Sequence, residues 1–235
     1  MPSENEIVNS LARKAKDEGR QALLEPEAKD ICVAYGVPVP KYRIARDPSE
    51  AERFADEVSF PVVLKIISRD ILHKTESGGV LLDLGSKEQV REGYDQVIRR
   101  VTAYNEKARI EGVLVQHMAP RGLEVIVGAL RDSQFGPTVL FGLGGIFVEV
   151  LKDASFRVAP INDLDCQQMI HDIRAYPILR GVRGQPPADE KAIQQVLQAT
   201  SRAMLENDAI QQIDLNPVMV YGSGASVVDA RIILA

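Results

Sequence analysis

Apolar residues recur at helical spacing in several otherwise polar stretches of the chain. Between residues 4 and 20 they fall three or four positions apart, and a second stretch from residue 22 ends at the helix-stopping Gly36. Asp47 and Ser86 each stand directly before another such stretch, where their side chains can cap the first turn. These patterns predict four amphipathic helices in the first half of the chain.

Runs rich in β-branched residues predict the strands that accompany these helices. Two strands, over 61–67 and 79–84, are joined by a short polar loop. The second half is predicted to hold further strands and helices, ending in a hairpin with a Gly-Ser-Gly turn signal. These further elements are strands at 111–116, 122–131, 137–142 and 146–152, helices at roughly 163–175 and 187–206, and the hairpin within 211–234.

The order of these elements predicts an α/β (α+β) fold with two α/β lobes and a cleft between them. We expect residues 1–21 to form an N-terminal helix that packs on the C-terminal lobe. Residues 22–108 are expected to form the N-terminal lobe and residues 109–235 the C-terminal lobe. A chain of 235 residues is long enough for two such lobes with their own cores.

Composition narrows the class of protein. The formal net charge of -5 argues against general nucleic-acid binding, which requires a basic surface. No run of about 18 apolar residues and no signal-peptide pattern occurs, so we expect a cytoplasmic protein that does not bind membranes. Cys32 and Cys166 form no metal-ligand pattern, and we expect buried, reduced thiols.

The C-terminal hairpin carries a candidate metal site. If its turn is centred on residues 222 and 223, Asn216 and Asp229 lie opposite each other, and Asp214 points to the same face as Asn216. Amide and carboxylate oxygens are hard ligands, and Mg²⁺ in nucleotide sites uses few protein carboxylates. The alternative is a solvated hairpin whose acidic residues only keep the sheet edge soluble.

The loop "DILHKTESGGV" at residues 70–80 is a candidate phosphate site. His73 lies in a polar loop, where a neutral imidazole could accept a phosphoryl group. Lys65, inside the preceding strand, could hold a phosphate, and Gly78 and Gly79 could let the backbone approach one closely. The alternatives are an ordinary polar turn and a lysine whose amine only reaches water from an edge strand.

Five segments carry a resemblance that is collinear from about residue 22 to the C-terminus. They are "LLEPEAKDICVAYGVPVP", "FPVVLKIISRDILHKTESGGVLLDL", "GVLVQHMAPRGLEVIVGALRD", "FGLGGIFVEVLKDASFRVAPI" and "IDLNPVMVYGSGASVVDAR". Together these segments resemble the ATP-grasp β subunit of ADP-forming acyl-CoA synthetases (acetate–CoA ligase, ADP-forming), of the succinyl-CoA synthetase superfamily. It implies an ATP-grasp fold with the nucleotide between the lobes, and an acid–thiol ligase that converts acyl-CoA, ADP and phosphate into acid, CoA and ATP.

The resemblance also implies residue roles. His73 would carry a phosphoryl group as a phosphohistidine, a role implied by the acyl-CoA synthetase branch, because the succinyl-type relatives have Gly-Arg-Gly at 73–75. Arg157 would face the transferring phosphoryl group. Nucleotide contacts would come from Lys65, Lys74, Thr75, Gly78, Gly79, Gln116, Met118 and Glu124, and Mg²⁺ ligands from Asn216, Asp229 and Asp214.

The family further implies partners. A CoA-binding α subunit would complete the enzyme, in an α2β2 heterotetramer, and we expect this chain, starting at Met1, to be a free-standing β subunit. Two other functions stay open: a non-catalytic nucleotide-sensing regulatory subunit, and a stand-alone ATP-grasp carboxylate–amine ligase. The acyl substrate and the choice between ADP and GDP are not readable from the residues.

Overall fold

The computed structural model describes residues 2–71, 73–145, 153–182, 184 and 186–235. Two compact units form: a larger one from Met1–Val39 and Pro120–Ala235, and a smaller one from Pro40–Ala119. Each unit has its own hydrophobic core. The expected strand at 146–152 falls outside the described residues.

The described helices begin where the sequence supplies caps. The side chains of Asp47 and Ser86 accept hydrogen bonds from the backbone N–H groups of Glu50 and Gln89, as the pattern predicted. The helices are α1 (Glu4–Asp17), α2 (Glu25–Ala34), α3 (Pro48–Val58), α4 (Lys87–Tyr104), α5 (Asp163–Asp172), α6 (Tyr176–Leu179) and α7 (Glu190–Glu206). The helix expected at 163–175 therefore ends at Asp172, and the short α6 follows it.

The smaller unit is a four-stranded antiparallel sheet with the order β1-β4-β2-β3. Its strands are β1 (Tyr42–Ala45), β2 (Val62–Ser68), β3 (Val80–Leu84) and β4 (Ile110–His117). Helices α3 and α4 cover one face, and their apolar side chains form a core with Val62, Leu64 and Ile66 of β2. Strand β1 was not predicted, because its four residues show no clear alternation.

Over its described residues, the larger unit is built on a six-stranded antiparallel sheet. Its strands are β5 (Leu123–Asp132), β6 (Gly136–Leu143), β7 (Ala154–Val158), β8 (Ile210–Val220), β9 (Ala225–Val227) and β10 (Ala230–Leu234). The order is β10-β8-β5-β6-β7, and β9 also pairs with β8. Helices α2, α5 and α7 pack on this sheet. We call the face that α7 covers the helix face, and the other the open face.

The units divide the chain at different positions from the expected 21/22 and 108/109. Helix α2 packs on β10, so residues 22–39 belong with the larger unit. Strand β4 hydrogen-bonds to both β1 and β2, so it belongs with the smaller unit although it lies after residue 108. Local pattern could not show either assignment, because both depend on long-range packing and strand pairing.

Helix α1 is tied to α2 by a buried carboxylate. Glu27 accepts hydrogen bonds from Lys14 and Arg20 and from the backbone N–H of Leu24. Burial raises the pKa of Glu27, but its bonds to Lys14 and Arg20 outweigh this and leave the pKa below its usual value. The N-terminal helix is thus held within the larger unit.

Candidate functional site

Strand register places four of the candidate residues on the open face of the larger unit. Asp214 pairs with Gly128 of β5 on one side and with Arg231 of β10 on the other. The neighbouring row, which contains Ile213, Ala129 and Val139, points into the core below the helices. Asn216 and Asp229 share the open face with Asp214, and Glu124 lies on it at the start of β5.

Asn216 and Asp229 lie opposite each other across the terminal hairpin. The register that pairs Val220 with Ala225 continues to the pair of Leu215 and Ala230. The backbone N–H of Asn216 donates to the carbonyl of Asp229 at 3.2 Å. This confirms the hairpin register that the sequence predicted from a turn centred on 222 and 223.

Asp214 lies close enough to Asp229 to interact with it electrostatically. Burial raises the pKa of the Asp214 carboxyl, Arg231 opposes the rise, and the negative charge of Asp229 adds to it. Two neighbouring carboxylates repel each other, and partial burial strengthens the repulsion. A cation bound to both carboxylates would offset it.

The donor set of this face fits a hard divalent ion. It offers the amide oxygen of Asn216 and the carboxylate oxygens of Asp214 and Asp229, and Mg²⁺ prefers such ligands. In the described part of the chain no cluster of three or more His, Cys, Asp and Glu residues could hold a metal. An ion here would therefore keep coordination positions for phosphate oxygens and water, as is usual for Mg²⁺ bound with a nucleotide.

Arg157 does not share this face. It pairs with Val139 in the row that points toward the helices, and its guanidinium contacts Asp172 of α5 at 2.6 Å. The structure thus places Arg157 on the other side of the sheet from Asn216 and Asp229, and its expected role of facing the transferring phosphoryl group stays a prediction. The physical reason is the alternation of the strand: Phe156 and Val158 point to the open face, and Arg157 between them cannot.

In the smaller unit, Lys65 and Gln116 lie on the sheet face opposite α3 and α4. Lys65 pairs with Leu114, and Gln116 of the same strand pairs with Val63. The side chains of Val62 and Leu64, on either side of Val63, point to the helices instead. Lys65 and Gln116 are both buried, and they belong to neighbouring strands. The structure thus brings two of the expected nucleotide contacts onto one face.

The loop that carries His73 connects β2 to β3 and is anchored at both ends. At its start, the carboxylate of Asp70 accepts hydrogen bonds from the backbone N–H and the guanidinium of Arg109, at 2.7 Å each. At its end, the carbonyl of Gly79 accepts from the N–H of Ile66 at 2.7 Å. Lys65, which pairs with Val80, is therefore directly beside the root of the loop.

Between these anchors the loop forms a compact turn. The carbonyl of Lys74 accepts from the backbone N–H of Gly79 and from the hydroxyl of Ser77. His73 and Thr75 are exposed, while Lys74 is half-buried. Among the described residues, none hydrogen-bonds to the imidazole of His73. The imidazole of His73 is therefore exposed and takes no part in the hydrogen bonds that hold the turn together.

Gly78 and Gly79 have a role inside the turn itself. Gly78 has a left-handed φ of 68°, which favours glycine. A Cβ atom at Gly79 would lie 2.5 Å from the methyl carbon Cγ2 of Ile66, a severe overlap. The two glycines are required to fold the loop onto β2, so their presence is explained without the close approach of a phosphate that the sequence suggested.

Met118 and Glu124 follow β4 and begin β5, respectively. The backbone N–H of Met118 donates to the carbonyl of Pro61, so this N–H is used within the smaller unit. Glu124 is exposed on the open face, and Gly144 packs against it, because a Cβ there would lie 3.0 Å from the Glu124 Cβ. The glycine-rich segment at 142–145 therefore allows β6 to end close beside Glu124.

Two features were missed at the sequence level. Arg231 follows Asp229 by two residues and so shares its face, a signal that strand alternation alone could have given. The pair of Asp70 and Arg109 joins residues 39 positions apart and had no local signal.

The cysteines are buried and free, as expected, and burial raises the pKa of Cys32 to about 12. In the described part of the chain, no helix has the length and apolar character needed to cross a bilayer.

We expect Asp70→Asn to loosen the base of the His73 loop. Its hydrogen bonds to Arg109 lower the pKa of Asp70 to about 2, below the ordinary value of 3.8. Stability from this ion pair is therefore present above the ordinary value and is lost as the pH falls toward 2. Denaturant titration should show a small deficit for the variant at pH 7 that shrinks at pH 4 and below.

Hydrogen exchange of the Arg109 amide gives a local measurement of the same pair. The control is Asp56→Asn, which removes a surface ion pair with Lys87 in the same unit. We expect the Arg109 amide to exchange faster in Asp70→Asn than in the control. Equal exchange in both variants, or a stability deficit that does not change with pH, would contradict the assigned role of Asp70.

Comparison with known proteins identifies similar chains. The sequence matches the family of ATP-grasp domains over residues 14–234. It is 47% identical over 227 residues to the β subunit of acetate–CoA ligase [ADP-forming] I of Pyrococcus furiosus, covering 97% of this chain and 97% of that protein.

Solved structures show the same similarity. The dinucleotide-forming acetyl-coenzyme A synthetase 1 of Ca. Korarchaeum cryptofilum, in complex with coenzyme A, Ca-AMPCP and HgCl+, is 50% identical with a TM-score of 0.95, over 96% of this chain and 99% of that one. The same protein in complex with coenzyme A and Mg-AMPPCP, with its phosphohistidine segment pointing towards the nucleotide binding site, gives 47% identity and a TM-score of 0.86, over the same shares of the two chains.

Proposed function

Because this chain belongs to the ATP-grasp family, and within it to the β subunits of ADP-forming acetate–CoA ligases, we propose that it is the nucleotide-binding subunit of such a ligase. The enzyme would convert an acyl-CoA, ADP and phosphate into a carboxylic acid, CoA and ATP. The observation that carries the proposal is the opposed pair of Asn216 and Asp229 on the open face, with Asp214 beside it. This is an oxygen donor set suited to Mg²⁺ held together with a nucleotide.

Each unit carries proposed nucleotide contacts of its own. In the smaller unit, Lys65 would bind phosphate as a buried cation, Gln116 and Met118 would contact the adenine, and Lys74 and Thr75 would cover the phosphates. In the larger unit, Glu124 would accept a hydrogen bond from a ribose hydroxyl. Arg157 is not included, because it points to the helix face.

His73 would carry the phosphoryl group. In the direction of ATP cleavage, a ring nitrogen of His73 attacks the γ-phosphorus, the bond from that phosphorus to the bridging oxygen breaks, and ADP leaves with that oxygen. In the direction of ATP synthesis, a terminal phosphate oxygen of ADP attacks the phosphohistidine, and the imidazole leaves. Histidine suits both directions, because its neutral imidazole is a nucleophile near pH 7.

Asn216, Asp229 and Asp214 would hold Mg²⁺. When bound, the ion would neutralise charge on the β- and γ-phosphate oxygens and orient the phosphate chain. The chain's own contribution is positional: the hairpin register fixes the two opposed ligands, and the anchors at Asp70 and Gly79 limit where the His73 loop can reach. Positioning and charge stabilisation supply most of the catalysis of phosphoryl transfer.

A β subunit requires an α partner, which we propose binds the acyl-CoA in an α2β2 assembly. The test is reconstitution with that partner over a panel of acyl-CoAs, with ATP formation as the readout. We expect ATP formation only when both subunits, Mg²⁺, ADP and phosphate are present. A complex that binds ATP but forms none from any acyl-CoA would contradict the proposal and favour a nucleotide-sensing subunit.

A further inference from the structure

The open face of the larger unit holds a cation that none of the roles above uses. Arg231 lies on β10 directly opposite Asp214, two residues beyond Asp229 on the same strand. The described strand residues of this face include no other Lys or Arg, since Arg131 and Arg157 both bond toward the helix side. Among the described strand residues, Arg231 is therefore the one cationic side chain on the face that carries Asn216 and Asp229.

Part of the Arg231 side chain is buried without a hydrogen-bond partner. Its Nε is inaccessible to solvent and has no acceptor among the residues that the structure describes. A buried donor without an acceptor is unfavourable, and such groups in native proteins usually have a specific reason. A ligand oxygen would satisfy this N–H if the guanidinium turns toward the ligand when the ligand binds.

The charges around Arg231 indicate which ligand supplies the acceptor. Asp214 and Asp229 carry two negative charges and Arg231 one positive charge, so the cluster alone is negative. A bound divalent cation makes it positive and attractive to a polyphosphate. Guanidinium groups suit this task, because their planar N–H donors match phosphate oxygens in a bidentate arrangement.

We infer that Arg231 binds the nucleotide phosphates beyond the α-phosphate, beside the metal held by Asn216 and Asp229. The inference rests on the proposed function and adds a specificity-determining residue to that site. Arg231 would favour nucleoside di- and triphosphates over monophosphates. The competing explanation is structural: Arg231 would only neutralise the carboxylate of Asp214.

A double-mutant cycle separates the two explanations. Arg231→Met keeps an unbranched, mostly apolar stem and removes the charged guanidinium, and Asp214→Asn removes the carboxylate that Arg231 faces. Dissociation constants for ATP, ADP and AMP are measured by calorimetry, with Mg²⁺ and with EDTA, for wild type, both single variants and the double variant. Arg231→Lys, which keeps the charge without the planar donors, is the conservative variant.

We expect Arg231→Met to weaken ATP and ADP binding about 10- to 100-fold, as for the loss of a charge-assisted hydrogen bond, and to leave AMP binding unchanged. The effect should persist in EDTA, and Arg231→Lys should recover part of the affinity. Because Asp214 is also a proposed metal ligand, the Asp214→Asn background is compared in EDTA, where the effect of Arg231→Met should persist as well. Far-UV circular dichroism and thermal midpoints establish that each variant is folded.

Three results would overturn the inference while the proposed function stands. These are unchanged ATP affinity in Arg231→Met, an equal loss for ATP and AMP, and disappearance of the effect in the Asp214→Asn background when both are measured in EDTA. The last result would show that Arg231 acts only on Asp214. If the wild-type protein binds no nucleotide, the proposed function itself fails, and this inference fails with it.

Discussion

His73→Asn abolishes ATP formation from acyl-CoA, ADP and phosphate in the reconstituted complex, with an expected loss of at least about 1,000-fold. The reason is that asparagine keeps a polar side chain but has no nucleophilic nitrogen. The loop should remain folded, because its internal hydrogen bonds run through backbone groups of His73, Lys74 and Thr75 and the hydroxyl of Ser77. Steady-state ATP formation and ADP affinity are the two measurements.

The chain supplies a matched control for this substitution. His171 lies in the larger unit, where its ring contacts Glu190 at 3.1 Å, and it has no proposed role in the reaction. We expect His171→Asn to retain most of the activity, and His73→Asn to bind ADP as tightly as wild type. Full turnover by His73→Asn would remove the phosphoryl relay from the account.

Asp229→Asn is expected to weaken Mg²⁺-dependent binding of ATP more than 100-fold. The substitution keeps the shape of the side chain and the backbone hydrogen bond between Asn216 and residue 229, but removes the charge of a proposed ligand. Loss of a supporting outer-shell group at a metal site already costs about 10- to 100-fold, and a direct ligand should cost more. Calorimetry of ATP binding with and without Mg²⁺ measures the effect.

The control for this variant is Asp208→Asn, because the side chain of Asp208 is 98% exposed and only reaches Arg131 at 3.5 Å. We expect Asp208→Asn to bind Mg-ATP like wild type. In EDTA, Asp229→Asn and wild type should bind ATP with similar affinity. Unchanged Mg²⁺-dependent binding by Asp229→Asn would exclude the hairpin as the metal site.

The parts of the fold that short-range rules govern could be predicted from sequence. The caps at Asp47 and Ser86 start helices where expected, since a side-chain oxygen satisfies N–H groups three residues away. The pairing of Asn216 with Asp229 followed from the turn alone, because residues at equal distance from a hairpin turn must face each other. The ATP-grasp fold, recognised from five collinear segments, is confirmed by the family match.

The parts that depend on long-range packing could not be predicted. Arg157 lies one residue from two side chains on the open face, and only the register against β6 shows that it points the other way. The sequence indicates Gly79 as a phosphate-binding residue, whereas close packing against Ile66 explains the glycine, because a Cβ there would overlap the Ile66 side chain. The unit boundaries depend on the pairing of β4 with β1 and β2, which joins segments separated by a helix.

We propose that this chain moves a phosphoryl group between Mg-nucleotide and His73. The direct test is to incubate the reconstituted complex with Mg²⁺ and ATP labelled at the γ-phosphate, and to locate the label by peptide mapping. We expect an acid-labile, base-stable label on His73 that disappears when ADP is added and is absent in Asp229→Asn. A complex that turns over while carrying no label on His73 would contradict it.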